Sequence, residues 1–279
     1  MFNRKDTSMS LITISQNLGS GGMAIARQVA EGLNIDLYGD NRLQAEALKL
    51  DIRSDDIGNL DKKAPGLFDR ILGKKPDVYL DLMEAVVYEA SRHGQGVIIG
   101  HGSQMLLRDF GCALHVRIHA SRARRIHNLM NGQNLSREGA EKLIRKSDSE
   151  RNGFFKFAFQ RDLKDPSLYD LIINTEKIGN DAAAKFIIDL AASDEISSCS
   201  LTAMEAMEKM SQTKKVEAVL LENDINLTML HVETPEKGAI RIHGLTTTQY
   251  EKDRIIKAIQ AMPEITDFQS NISIVSGGF

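Results

Sequence analysis

Gly19, Ser20, Gly21 and Gly22 stand between an apolar run, "LITIS" at 11–15, and a helical pattern over 22–33. A chain that leaves a strand through a glycine turn and restarts as a helix aims several unbonded N–H groups at one point. The helix dipole adds positive potential there. A phosphate binds such a nest without any side-chain charge. Met23 and Ala24 follow directly, so residues 19–24 form a candidate loop for the di- or triphosphate of a nucleotide. The same glycines also suit an ordinary tight turn between packed elements, and the repeat by itself leaves both readings open.

The loop needs a frame to hold it. "LITIS" reads as a buried strand. Over 22–33, Ile25, Val29 and Leu33 recur on one side of a helix, with Ala26 and Ala30 beside them. Further strands are expected at 35–39, 97–100, 113–120 and 169–175. Helices are expected at 41–50, at 77–92, from 121, at 136–160 and at 180–192. The stretch 51–76, broken by Pro65, Gly66, Gly73 and Pro76, reads as irregular. Strands separated by helices predict parallel pairing, because a parallel return needs a long crossover. Beyond 193 the pattern changes. "LTAMEAMEKM" is an amphipathic helix whose methionines suit packing rather than a cofactor. From about 214 the order becomes helix, strand, strand, helix, strand, with a hairpin around "PEKG". Three segments are therefore expected: an α/β domain over 1–195, a helical linker over 196–213, and a small α+β domain over 214–279. The last is near the lower size limit for folding alone.

Composition narrows the partners. With 279 residues, 42% hydrophobic and 26% charged, the chain can bury a sizeable core. A net charge of −3 gives no overall basic field for nucleic acid or an anionic membrane. Trp is absent and aromatics are 5%, which argues against a base-stacking surface, so no nucleic-acid partner is expected. The apolar runs are too short to span a bilayer. "MFNRKDTSMS" has no apolar core of the signal-peptide kind. Cys112 and Cys199 match no disulfide or zinc pattern. A cytoplasmic location follows as the expectation. His115, Arg117 and His119 share one strand face. Two histidines without a third ligand make no metal site there, and no metal is expected. A charged Arg117 inside a buried strand needs a partner. Arg122 and Arg124 read as solvated.

Residues 12–33 resemble the first strand, phosphate loop and first helix of bacterial cytidylate kinases. The match is closer to the divergent cytidylate kinase-like family, in which "GSGG" followed by "IA" is usual. "VIIGHG" at 97–102, "ALHVRIHAS" at 113–121, "SDSER" at 147–151 and "DPSLYDLIINT" at 165–175 resemble that family's third strand, fourth strand, lid helix and last strand, in order. The resemblance covers roughly residues 11–192. It implies a doubly wound parallel sheet of P-loop kinase type, and transfer of the γ-phosphoryl of ATP, with Mg²⁺, to CMP or a related nucleotide. Such chemistry rests on positioning and on offsetting charge spread over oxygens.

Matched positions imply site residues. Arg151 would reach the phosphates, Asp148 would orient it or the base, and Arg125 would be a lid-entry arginine. Asp40 and Arg42 follow the second strand, where kinases bind the monophosphate, although Gly39 displaces that match by one residue. The usual loop lysine, small residue and threonine appear here as Gly22, Met23 and Ala24. The usual arginine of the third-strand motif is His101, a weaker and pH-dependent substitute. Binding of nucleotide is thus better supported than catalysis, and the alternative is a catalytically inactive nucleotide-binding regulator. Residues 214–275 resemble the BON domain through "GAIRIHGL" and the order αββαβ. That implies contact with lipid, a small ligand or another protein, or oligomerisation.

Overall fold

The computed structural model describes residues 10–49, 76–197 and 201–275. The expected irregular stretch 51–76 lies outside these residues, except for Pro76, which begins a helix. Contacts group the described residues up to Arg42 with those of His93–Met204, and those of Leu43–Arg92 with those from Glu205 onward.

In the first unit, β1 (Leu11–Gln16), β2 (Leu37–Tyr38), β3 (Gly96–Ile99), β4 (Ala113–His119) and β5 (Leu171–Asn174) form one parallel sheet in the order β2-β3-β1-β4-β5. All of β1 but its last residue is buried, and so is all of β3, as continuous apolar runs in a two-sided parallel sheet should be. Helix α1 (Gly22–Leu33) packs Ile25, Ala26, Val29 and Ala30 against Ile12 and Ile14 of the sheet. Ala26 and Ala30 share this core with Ala183 and Ala184 of a later helix, Asn180–Ala191. This is the doubly wound α/β architecture of a P-loop kinase-like fold. Helix α2 begins at Asp40 (Asp40–Lys49).

The second unit contains α3 (Pro76–Ser91). After β3 the first unit continues through α4 (Ser103–Leu106), α5 (Arg122–Gln133), α6 (Arg137–Phe159), α7 (Asn180–Ala191) and α8 (Asp194–Ser197). The methionine-rich stretch is the first half of α9 (Leu201–Glu222), one continuous helix. Lys214 and Lys215 of α9 tie α3 through Glu84 and Glu89, each at 2.7 Å. Burial would pull the Lys214 ammonium down, but its bonds to Glu217 and Glu84 hold it above the usual lysine value. A three-stranded sheet, β6 (Leu230–Glu233), β7 (Ala239–Thr246) and β8 (Asp267–Ile274), pairs β6 antiparallel and β8 parallel to β7. Helix α10 (Gln249–Gln260) buries Ile255 and Ile259 with Val232, Ile240, Ile242 and Ile272. The small sheet is thus mixed, with one antiparallel and one parallel pairing.

One expectation is overturned. Cys112, buried just before β4, is held in a disulfide rather than being an unpaired thiol; Cys199 lies outside the described residues. Cysteine spacing therefore no longer argues for a reducing compartment. Among the described residues, no helix is long and apolar enough to cross a membrane.

Candidate active site: an uncapped helix start over a basic cleft

The end of β1 is where the sheet delivers its loop. Gly19 and Gly21 both have positive φ, 84° and 85°. At Gly21 a Cβ would lie 2.6 Å from Asn180 Oδ1, and at Gly19 it would lie 2.8 Å from the Arg125 carbonyl oxygen. Positive φ calls for glycine at both positions, and at Gly19 the backbone contact also leaves no room for a Cβ, whereas at Gly21 the contact is the end of the exposed Asn180 side chain.

The orientation of the loop follows from its carbonyls. Arg125 Nε donates to the Leu18 oxygen at 2.7 Å. Asn128 Nδ2 donates to the Gly19 oxygen at 2.8 Å, and Thr175 Oγ1 to the Ser20 oxygen at 2.8 Å. Three successive carbonyls are fastened by side chains from α5 and from the end of β5. Helix α1 makes its first turn from Ile25 N to the Gly21 oxygen at 3.1 Å, and no side chain caps it. The amides of Gly21, Gly22, Met23 and Ala24 precede that bond and have no intrahelical acceptor. Gly21, Met23 and Ala24 line a cleft of about 820 Å³ together with Gln16, Arg124, Lys177 and Asn180, while Gly22 is buried.

Ser20 departs from the expected role. Its hydroxyl donates to the Asn17 oxygen at 2.7 Å, and its amide to the same oxygen at 3.0 Å. It is 1% exposed, so it shapes the loop and offers no donor to a ligand. Gly22 has a partner of its own. A Cβ there would lie 2.5 Å from Gln16 Oε1 and 2.6 Å from Gln16 Cβ. The missing lysine is therefore matched by a side chain filling its space.

Arg125, 5% exposed, bonds Asp148 with both terminal nitrogens, at 2.8 and 2.7 Å. Burial pushes the Asp148 carboxyl up, but the Arg125 hydrogen bonds outweigh it and hold the carboxyl below the usual range. With its Nε on Leu18, Arg125 is a positioning residue for the loop. Arg151 donates to the Gln16 carbonyl at the end of β1. Burial pulls its guanidinium down, and the charges of Asp40 and Asp148 oppose that pull. Asp40 and His101 meet at 2.7 Å, and that bond holds the Asp40 carboxyl below its usual value. Arg42 lies elsewhere: it stands 3.6 Å from Asp36 and over the Tyr38 ring at 5.6 Å. Arg117 has the partners its burial demands, the Leu163 oxygen at 2.6 Å and Tyr169 Oη at 3.2 Å.

Two cations of the cleft escape a reading by motif. Lys177 follows β5 in the turn "TEK" and is exposed. Arg124, expected to be solvated, lines the cleft while donating to the Glu176 oxygen at 2.9 Å. Their signal was position: both follow the carboxyl end of a strand on the loop's side of β1, where ligands of open α/β sheets bind.

The arrangement offers backbone amides of the helix start, with the cations Lys177 and Arg124 alongside. For Mg²⁺ the loop offers less. Ala24 supplies no hydroxyl, and Asp148 is committed to Arg125, so phosphate oxygens and water would supply the ligands.

A model described as the cytidylate kinase-like family matches residues 11–177. A protein named cytidylate kinase, from Pyrobaculum islandicum, is 25% identical over 182 residues, covering 65% of this chain and 92% of that protein. The crystal structure of an uncharacterized protein from Eubacterium ventriosum ATCC 27560 aligns with a TM-score of 0.51 at 22% identity. It covers 66% of this chain and 99% of that one, a likeness of fold.

Proposed function

The chain belongs to the cytidylate kinase-like family, which supports a nucleotide kinase-like function, and from that premise we propose that it binds ATP on the Gly21–Ala24 amides and phosphorylates CMP or a closely related nucleoside monophosphate. The observation that carries the reading is the loop's orientation: three carbonyls fastened away by Arg125, Asn128 and Thr175, and the amides of an uncapped helix left facing a cleft. Phosphoryl transfer asks chiefly for positioning and for charge around the moving phosphoryl group. Lys177 and Arg124 would supply that charge on the ATP side. Arg151 would supply it at the end of β1 and stays protonated, because guanidinium keeps its proton in proteins. Asp40 and His101 would face the acceptor. Mg²⁺, used with ATP by kinases of this kind in general, would offset charge on the phosphate oxygens.

A coupled ADP-release assay over the common nucleoside monophosphates tests the reading, with turnover expected for CMP or a near relative. Lys177→Ala is expected to raise the KM for ATP roughly tenfold, about the worth of one exposed charge contact to phosphate. An unchanged KM would remove Lys177 from the site. Restoring the loop lysine takes two changes. Gly22→Lys alone collides with Gln16 and should lower the melting temperature. Gln16→Gly combined with Gly22→Lys should relieve that loss and raise turnover above wild type.

A second reading is an inactive nucleotide-binding regulator, favoured by Gly22, Met23 and Ala24 together. Tight ATP binding without turnover toward any monophosphate would select it. In either case, the αββαβ module is proposed as BON-like, serving contact with a lipid, a small ligand, another protein or a second copy of the chain. A cytoplasmic location remains part of the proposal.

A further inference from the structure

The outer face of the small sheet holds a second constellation, independent of the nucleotide reading. Side chains alternate along a strand, so His231 and Glu233 of β6 point to one face while Val232, 5% exposed, points to the core. Across the antiparallel pair His231 stands directly opposite His243, and Val232 opposite the fully buried Ile242. The imidazole rings are 5.5 Å apart between centroids. One carboxylate atom, Glu233 Oε1, lies 3.3 Å from His231 Nε2 and 3.3 Å from His243 Nε2. The three ligand atoms lie within 4.8 Å of one another. From these distances we propose that His231, Glu233 and His243 form a binding site for a divalent transition-metal ion, of which Zn²⁺ is the natural probe.

The spacing fits such an ion. Bonds of about 2.0–2.1 Å in a tetrahedron place neighbouring ligand atoms about 3.3 Å apart, the separation found here on two edges. Two imidazole nitrogens with one carboxylate oxygen favour zinc and its transition-metal neighbours over magnesium or calcium. The alternative use of Glu233 is an ordinary cross-strand ion pair with Arg241, the residue opposite it in register. The carboxylate sits instead between the two imidazoles. Register is pinned close by: a Cβ at Gly244 would lie 2.0 Å from the Met229 oxygen, so the residue after His243 must be glycine. His231 and Glu233 are exposed and His243 is half-buried. The fourth coordination position therefore opens to water or to a donor from another molecule.

Calorimetric titration of ZnCl₂ into the full-length, EDTA-stripped protein tests the proposal. One ion per chain is expected at this site. His243→Ala and Glu233→Gln should each weaken its affinity roughly a hundredfold or more, since even outer-shell changes at such sites cost tenfold to a hundredfold. His231→Ala combined with His243→Ala should remove it, while His127→Ala should leave it intact. These side chains lie on the outer face, so the variants should keep the wild-type melting temperature in EDTA. Should one fail to fold, Co²⁺ bound to the wild type decides by its visible d–d bands, which are intense only for a low-coordinate site. Unchanged zinc stoichiometry and affinity in the double variant overturns the proposal. So does wild-type protein that takes up no ion.

Discussion

Gly21→Val should weaken ATP binding roughly a hundredfold or more while leaving the protein folded. The residue sits at φ 85°, where a β-branched side chain is strained, and its Cβ would lie 2.6 Å from Asn180 Oδ1 on the wall of the cleft. The left-handed backbone alone costs about 1–2 kcal/mol. The larger effect is local. The exposed Asn180 side chain can swing aside, but a loop that relaxes away from φ 85° to suit a β-branched residue moves the Gly21 and Gly22 amides off the position a phosphate needs. Loss of even one aimed donor typically costs on the order of 10²–10³ in stabilising a charged oxygen. Calorimetry should therefore show ATP affinity reduced roughly a hundredfold or more, with far-UV circular dichroism unchanged. A variant that melts lower yet binds ATP as wild type would mean that the turn only packs.

The second large effect belongs to the fastening. Asp148→Asn leaves the Arg125 guanidinium, 7% exposed, without its carboxylate. Breaking a buried pair from one side costs about 3–5 kcal/mol. Asp148 is 33% exposed, so water enters the gap and the lower end of that range, about 3 kcal/mol, is expected. Urea unfolding reads it. The Arg125→Met/Asp148→Asn double variant should recover part of the loss in stability but not nucleotide affinity, because the bond from Arg125 Nε to Leu18 goes with the arginine. The pH dependence has a definite sign. The Asp148 carboxyl is held below its usual value in the folded protein. Its contribution is complete above the ordinary aspartate pKa of about 3.9 and is lost as pH falls through the lower, folded value. Wild type should therefore lose stability in that acid window more steeply than Asp148→Asn. Equal slopes would show that the pair contributes nothing.

Much of the frame was legible because strand and helix periods are written locally. Ile12 and Ile14, or Ile25 and Val29, carry their burial in their spacing, and helices between strands force parallel pairing. The glycine turn was legible for the same reason: Gly19 and Gly21 occupy positions of positive φ. Residue roles were less so. Arg125 matched a motif position, but only the fold brings it against Leu18 and Asp148, and there it supports the loop. Ser20 sits within the expected loop, yet its donors turn inward. Lys177 belongs to no motif and reaches the cleft because β5 ends beside the loop. The compensation between Gln16 and Gly22 needs three-dimensional distance, as does the pairing of Cys112, since disulfides depend on separation in space rather than spacing in sequence. His231 and His243 could be brought together only by the hairpin's register. Of the two histidines that the sequence places on one strand face, His115 meets Thr13 Oγ1 through Nδ1 at 2.8 Å.

The most direct test is a crystal structure with a non-hydrolysable ATP analogue. A phosphate of the analogue should lie within hydrogen-bond distance of the Gly21, Gly22 and Met23 amides, with Lys177 or Arg124 on an outer oxygen. An analogue bound with its phosphates elsewhere, or a loop that turns its carbonyls toward them, would contradict the account.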